Sequence, residues 1–449
     1  MKATTVRLQL FRAAFALAAI TFTLALSAQA QTFKVIHTFT GGADGREPFS
    51  GVTFDSAGNL YGTTAEGGDL SRCKKVGCGL VYKLAPVSGG AWQETAVIHF
   101  RNSTTGGFPE GSVVLDRAGN LFGAAAIGGG SRNCAELGLQ GCGLLFELSP
   151  TASGWSELVT QIFDAGVDGG FPYGGLSADA SGNLYGTTFG GGDLSECLGF
   201  GCGTVFRLSP NGSGGWQYTV LYSFTGGADG AYPSAPLIFD AAGNAYSTTS
   251  GGGVNSIRCQ NQNGCGVVYR LSPTTSGLWT ETVLHAFNGT GDGAYSYAGL
   301  AFDAAGNLYG ITQEGGNLNA CAGLGCGTVF ELSPTSGGTW KETAIHIFSG
   351  KGDGAQSTAG LTFDTAGNLY GVAVSGGDLN ACNGSGCGLV FKFSPTASGW
   401  KETAVHTFSG GQDGAAPAEP LTIDAPGDIY GTTAQGGAAG QGVVFKITP

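Results

Sequence analysis

The sequence predicts an all-β protein, a seven-bladed β-propeller with four antiparallel strands per blade. Three observations carry that expectation. The run FDSAGNLYGTT at Phe54 to Thr64 returns with substitutions, and its Asp recurs as Asp55, Asp116, Asp179, Asp240, Asp303, Asp364 and Asp424, every 60 to 63 residues. A fixed period of this length marks a repeat architecture. Each period holds four short apolar segments separated by turn residues, the spacing of a propeller blade. The chain also has 84 glycines and 12% charged residues, against about 7% Gly and about 25% charge in an average protein. That composition suits short strands joined by tight turns, while 42% hydrophobic residues exclude disorder.

Within a period the first strand is a short alternating segment such as Leu361-Thr362-Phe363, ending at the recurrent Asp. A Gly-Asn turn then leads into the second strand, for example Leu369-Tyr370-Gly371, a strong hairpin signal. A long Gly-rich loop precedes the third strand, such as Val390 to Phe393, which stops at Ser-Pro. The fourth carries Trp-x-Glu-Thr and a run such as Val405-His406-Thr407-Phe408. A β-helix coil would be shorter, and a sandwich array would need more strands per unit.

The two ends predict how the ring closes. The last period stops at Pro449 after its third strand, and Val35 to Phe39 reads as a fourth strand with nothing before it. The N-terminal strand is therefore expected to complete the last blade, which hides two sheet edges that would otherwise invite aggregation.

Residues 1–30 read as a signal peptide. Lys2, Arg7 and Arg12 precede an uncharged run from Ala13 to Leu26, and Ala28-Gln29-Ala30 has the small-x-small form of a cleavage site. The run is shorter than the ~20 residues of a membrane span, and no apolar stretch follows it. Residues 31–449 are then one propeller, secreted to the periplasm or beyond and expected to act as a monomer. A net charge of −12, more negative still once the leader is removed, makes nucleic acid a poor partner.

The pattern LxFDxAGNLYGTTxxGG, then GxGTVFxLSP, an apolar strand and a Gly-rich Asp-Gly loop, resembles the GloVer-type tandem repeat. The resemblance spans Phe33 to Pro449. It implies a secreted bacterial protein of a family characterised by its repeat and by varied surface anchors, and it supplies no catalytic residues.

Twelve cysteines fall into six pairs: Cys73 with Cys78, Cys134 with Cys142, Cys197 with Cys202, Cys259 with Cys265, Cys321 with Cys326, and Cys382 with Cys387. Each pair sits in the loop between second and third strands, and the seventh repeat has none. In an exported protein this reads as six local disulfides. Zinc would need four ligands, and these loops offer no further Cys or His. His37, His285, His346 and His406 share one place in the fourth strand, which Gln161 and Tyr222 fill in other repeats; His99 sits one residue later. Equivalent positions on different blades are too far apart to share an ion, so a structural role is expected. One tryptophan per repeat reads as blade packing, and the Asp of Asp-x-x-Gly-Asn reads as turn chemistry.

With the first strand innermost, the Cys loops and the Asp-Gly loops share one face around the channel mouth. These loops carry Asp44, Asp168, Asp229, Asp292, Asp353 and Asp413, with Phe171, Tyr173, Tyr232, Tyr295 and Tyr297 beside them. Carboxylates next to rings suit sugar stacking or a calcium ion; no other cofactor is implied. A Gly-rich turn with rings packed beneath it is the alternative. The inner strands contain no His, Cys, Lys or Arg, which leaves a propeller lyase or lactonase without a visible base or metal. The expectation is a non-catalytic scaffold that binds a glycan, a cell-wall polymer or another cell-surface component, with an enzyme at the channel mouth as the alternative.

Overall fold

The computed structural model describes residues 31–449 apart from 102–104, 132–133, 135–139, 257, 260–262, 276 and 278; the expected signal peptide lies outside the described residues. The described strands form seven four-stranded antiparallel sheets. The first blade runs Thr53–Phe54, Leu60–Thr64, Leu80–Val87 and Ala91–His99 from the axis outward. In the last blade Thr422–Ile423, Ile429–Thr433 and Val443–Thr448 are completed by Thr32–Thr38, whose Thr32 faces Thr448 and whose Thr38 faces Val443. Closure by the N-terminal strand is thus as the two incomplete ends require. The inner strands are two residues long, and each fourth strand but the closing one is continuous from near its Trp through one bulge.

The repeated residues have distinct tasks. Asp55 Oδ1 accepts the backbone N–H groups of Ala57 and Asn59, both at 2.9 Å, and Oδ2 accepts from Asn59 Nδ2 and the Tyr61 hydroxyl. The same turn recurs at Asp179, Asp240 and Asp303. The second-strand glycine lets a third-strand ring lie across the sheet: a Cβ on Gly371 would stand 2.5 Å from Phe391 Cζ. Threonines stitch neighbours together. Thr53 Oγ1 donates to Val113 O at 2.7 Å, and Thr432 Oγ1 donates to Ser50 O at 2.9 Å across the chain ends.

Blade-to-blade packing is aromatic. Trp92, Trp155, Trp216, Trp279, Trp340 and Trp400 each meet the second-strand ring of the preceding blade, with centroids 5.2–6.4 Å apart. The fourth strands end on wholly buried phenylalanines, Phe39, Phe100, Phe163, Phe224, Phe287, Phe348 and Phe408. All six cysteine pairs are disulfides within their own repeat, with Cα separations of 5.1–5.5 Å. Among the described residues no helix is long and apolar enough to cross a membrane.

Candidate functional site

After the buried Phe, the chain crosses one face from the rim to the axis, and the site is built along that crossing. Its first part is a tight loop organised by the Asp-Gly carboxylate. Asp44 Oδ2 accepts the Thr40 N–H at 2.8 Å and Oδ1 accepts the Thr40 hydroxyl at 2.5 Å. Asp229, Asp353 and Asp413 hold Thr225, Ser349 and Ser409 in the same way, and Asp168 and Asp292 hold the N–H groups of Asp164 and Asn288.

The shared fourth-strand position supplies five of the six Asp residues with a second hydrogen-bonding partner and sets His37 beside the sixth. His285, His346 and His406 place Nε2 3.2–3.3 Å from Asp292, Asp353 and Asp413, and His37 stands 3.9 Å from Asp44. Gln161 and Tyr222 reach Asp168 and Asp229 at 3.3 and 3.1 Å. His285, His346 and His406 therefore anchor the loop beside them, the structural role expected of this position. Ile98 takes the place in the first blade, and His99 lies one residue beyond it. Burial pushes Asp353 up, but the bonds from His346 and Ser349 outweigh it and hold the carboxyl at about 2. Asp168 goes the other way, to about 7, through burial and then the neighbouring Asp164.

The crossing then turns through a residue with positive φ. Phe171, Tyr232 and Tyr295 have φ of 58–59°, and their N–H groups donate to the carbonyls of Cys142, Cys202 and Cys265 in the preceding blade. Each stapled loop thereby fixes the chain entering the next blade. Phe171 and Tyr295 are buried, with 3% and 7% of their surface exposed. Tyr232 stacks on Phe189 with centroids 5.0 Å apart.

Two residues further on, the chain reaches the axis. There a cavity of about 520 Å³ receives residues from all seven blades, including Phe49, Glu110, Tyr173, Phe189, Tyr297 and Glu419. Of the residues singled out in the sequence, Tyr173 and Tyr297 line this cavity; the six loop aspartates stand at the outer end of the crossing, away from it. The ring is chemically uneven. Blades one, three and five present Phe49, Tyr173 and Tyr297, whereas blades four, six and seven present Ser234, Thr358 and Ala418.

Glu110 and Glu419 are acids that sequence reasoning missed. Burial pushes Glu110 up to about 7. Burial, and then the charge of Glu110, pushes Glu419 well above its ordinary range. Burial and Glu110 also raise Tyr173. Glu110 thus couples electrostatically to both Glu419 and Tyr173. The available signal was Phe-Pro-Glu in the second repeat, where Glu110 aligns with Tyr173 of Phe-Pro-Tyr. Among the described residues, no group of three or more His, Cys, Asp or Glu is placed to hold a metal ion.

Comparison with known proteins adds the lineage. The family model of the Gloeobacter/Verrucomicrobia repeat matches residues 133–378 and 321–449, more than half of the chain. No curated protein matches it. Among solved structures, a protein from Lactobacillus plantarum is 12% identical, with a TM-score of 0.47 over 90% of this chain and 88% of its own.

Proposed function

We propose, for a chain that belongs to the Gloeobacter/Verrucomicrobia repeat family, that it is an exported, non-catalytic scaffold which binds a glycan or cell-wall polymer at its axial cavity. The carrying observation is the uneven ring at the axis, where Phe49, Tyr173, Phe189 and Tyr297 share a cavity with Glu110 and Glu419. Rings give flat apolar faces on which a sugar stacks, and carboxyl groups give directional contacts to its hydroxyls. A protonated Glu110 donates as well as accepts, which suits a hydroxyl-rich ligand. Six disulfides fit export to an oxidising compartment.

The test is a glycan array on the oxidised protein, with and without calcium, followed by titration of each hit. Tyr173→Ala with Tyr297→Ala should weaken binding at least tenfold while the melting temperature stays near the parent's. Unchanged affinity in a folded double variant rejects the axial site. Calcium-dependent binding would bring the loop aspartates back as ligands.

One observation favours the enzyme reading. Glu110 and Glu419 line one cavity, and burial raises both above the ordinary carboxylate range, Glu110 to about 7, as a general acid must be. Turnover of a bound glycan or lactone, abolished by Glu110→Gln with binding retained, would replace the scaffold reading.

A further inference from the structure

Six of the seven blade joints are filled by one rule. The last residue of an inner strand leans on the second-strand ring of the blade before it, beside the tryptophan in every blade but the closing one. Phe54, Phe239, Phe302 and Phe363 meet Tyr430, Tyr185, Tyr246 and Tyr309 in this way, with centroids 4.8–5.2 Å apart. Leu115 and Ile423 hold the position in the second and seventh blades. In the third blade the residue is Ala178, and there alone among the seven is this position exposed rather than half-buried.

The same joint has lost a second group. Tyr61, Tyr185, Tyr246, Tyr309 and Tyr430 each donate a hydroxyl to the turn Asp of their own blade, at 2.9–3.3 Å. The second blade has Phe122, which has no hydroxyl to give Asp116. A groove of about 750 Å³ opens where these two groups are missing, on the face opposite the Cys loops, between Asp116, Phe122, Glu147, Ala178 and Trp216. Its wall is preset. Trp216 Nε1 donates to Glu147 Oε2 at 2.8 Å, and the indole meets Phe122 edge-on at 5.2 Å.

We propose that this groove is a binding site for a phenol-class ligand, a hydroxylated aromatic ring. The ring takes the place that a phenylalanine side chain fills in four other joints, against Phe122 and Trp216, and its hydroxyl donates to the Asp116 carboxylate. The missing ring leaves open, partly enclosed space between the remaining rings that accepts a small apolar ring, and a hydrogen bond to a charged acceptor adds selectivity for the hydroxyl. The volume falls within the range of small-molecule sites and leaves room for a substituent towards the solvent. The groove shares no lining residue with the axial cavity, which lies on the other face.

Calorimetric titration of the oxidised full chain with 4-methylphenol and with toluene tests it. Saturable binding of 4-methylphenol is expected, with toluene weaker by roughly tenfold or more. Ala178→Phe, which restores the side chain of the neighbouring joints, should abolish binding without lowering the melting temperature. Ala178→Leu, copying Leu115, serves if the larger residue does not fold. Phe122→Tyr should weaken 4-methylphenol by giving Asp116 its usual partner. No binding to the parent, or full binding to a folded Ala178 variant, overturns the site. Equal affinity for toluene overturns the ligand class.

Discussion

The six stapled blades and the closing blade solve one problem in two ways. In blades three to six a loop glycine, Gly226, Gly289, Gly350 or Gly410, rests on the disulfide of its own blade; a Cβ there would come within 2.7–3.0 Å of both sulfurs. In the closing blade the corresponding Gly41 faces Gln441 instead; a Cβ there would stand 3.2 Å from Gln441 Cγ. The backbone contact is also kept. The second cysteine's carbonyl accepts an N–H from the next blade at Phe108, Phe171, Tyr232, Tyr295, Gln356 and Ala416, and Gln441 O accepts from Glu47. The difference lies in the loop. In blades one, three, five and six a short 3-10 turn starts at the first cysteine, at Cys73–Lys75, Cys197–Gly199, Cys321–Gly323 and Cys382–Gly384, whereas in the closing blade Gly436 bridges directly to Gln441. The disulfides therefore stiffen added loop length, and the ring itself is held by sheets, rings and backbone hydrogen bonds.

Removing the closing strand should have the largest effect. Deletion of residues 31–39 takes away the partner of Val443–Thr448 and the buried Phe39 and Ile36. Loss of the cooperative thermal transition, or aggregation seen by light scattering, is expected; unchanged melting would contradict the closure. Next come the equivalent rings Phe391 and Phe445, both wholly buried. Changing either to Ala should cost about 3–5 kcal/mol in denaturant unfolding. A much larger loss at Phe445 would show that the closing blade is the weak point of the ring.

Reduction should act on the six stapled blades alone. Each disulfide closes a loop of 5–8 residues and contributes about 2 kcal/mol in the chain-entropy model. Hydrogen exchange in the reduced protein should quicken in the Cys loops and stay unchanged from Gly436 to Gly442. Uniform quickening would mean that the disulfides hold the ring together. Gln441→Ala, the corresponding lesion in the closing blade, should cost about 1 kcal/mol or less, read as a small fall in melting temperature.

The mildest contrast is in pH. At the joints into the first, second and fourth blades, Glu94, Glu157 and Glu281 are held at about 7, chiefly by burial; Asp44 adds to this at Glu94 and Asp229 at Glu281, while Arg101 opposes it at Glu157. The same register position in the closing blade is Phe33, stacked on His406 at 3.8 Å. A carboxyl raised on folding stabilises fully below its unfolded pKa of about 4.5, and that contribution is lost as pH rises through the folded value near 7. Melting temperature should therefore fall between about pH 5 and 8, and changing the three glutamates to Gln should flatten the slope. A rising or flat parent profile would show that these acids ionise freely.

Blade number, strand order, disulfide pairing and closure were legible because each is written in every repeat. A residue that recurs at a fixed period reports its job by recurring, as Asp55 does at its turn and Trp92 at its joint. The histidines were legible for the same reason, since Gln161 and Tyr222 fill their place with other donors. What the tertiary structure alone decided lies where the repeats depart from one another. Glu110 and Glu419 stand in different repeats, and only the ring brings them into one cavity at the axis. Ala178 and Phe122 each look like a mild substitution within its own repeat, and only the joint between blades two and three makes them the two sides of one groove. The physical reason is common to both. Secondary structure and turns follow from neighbours along the chain, but a cavity is bounded by atoms that folding brings together from distant segments.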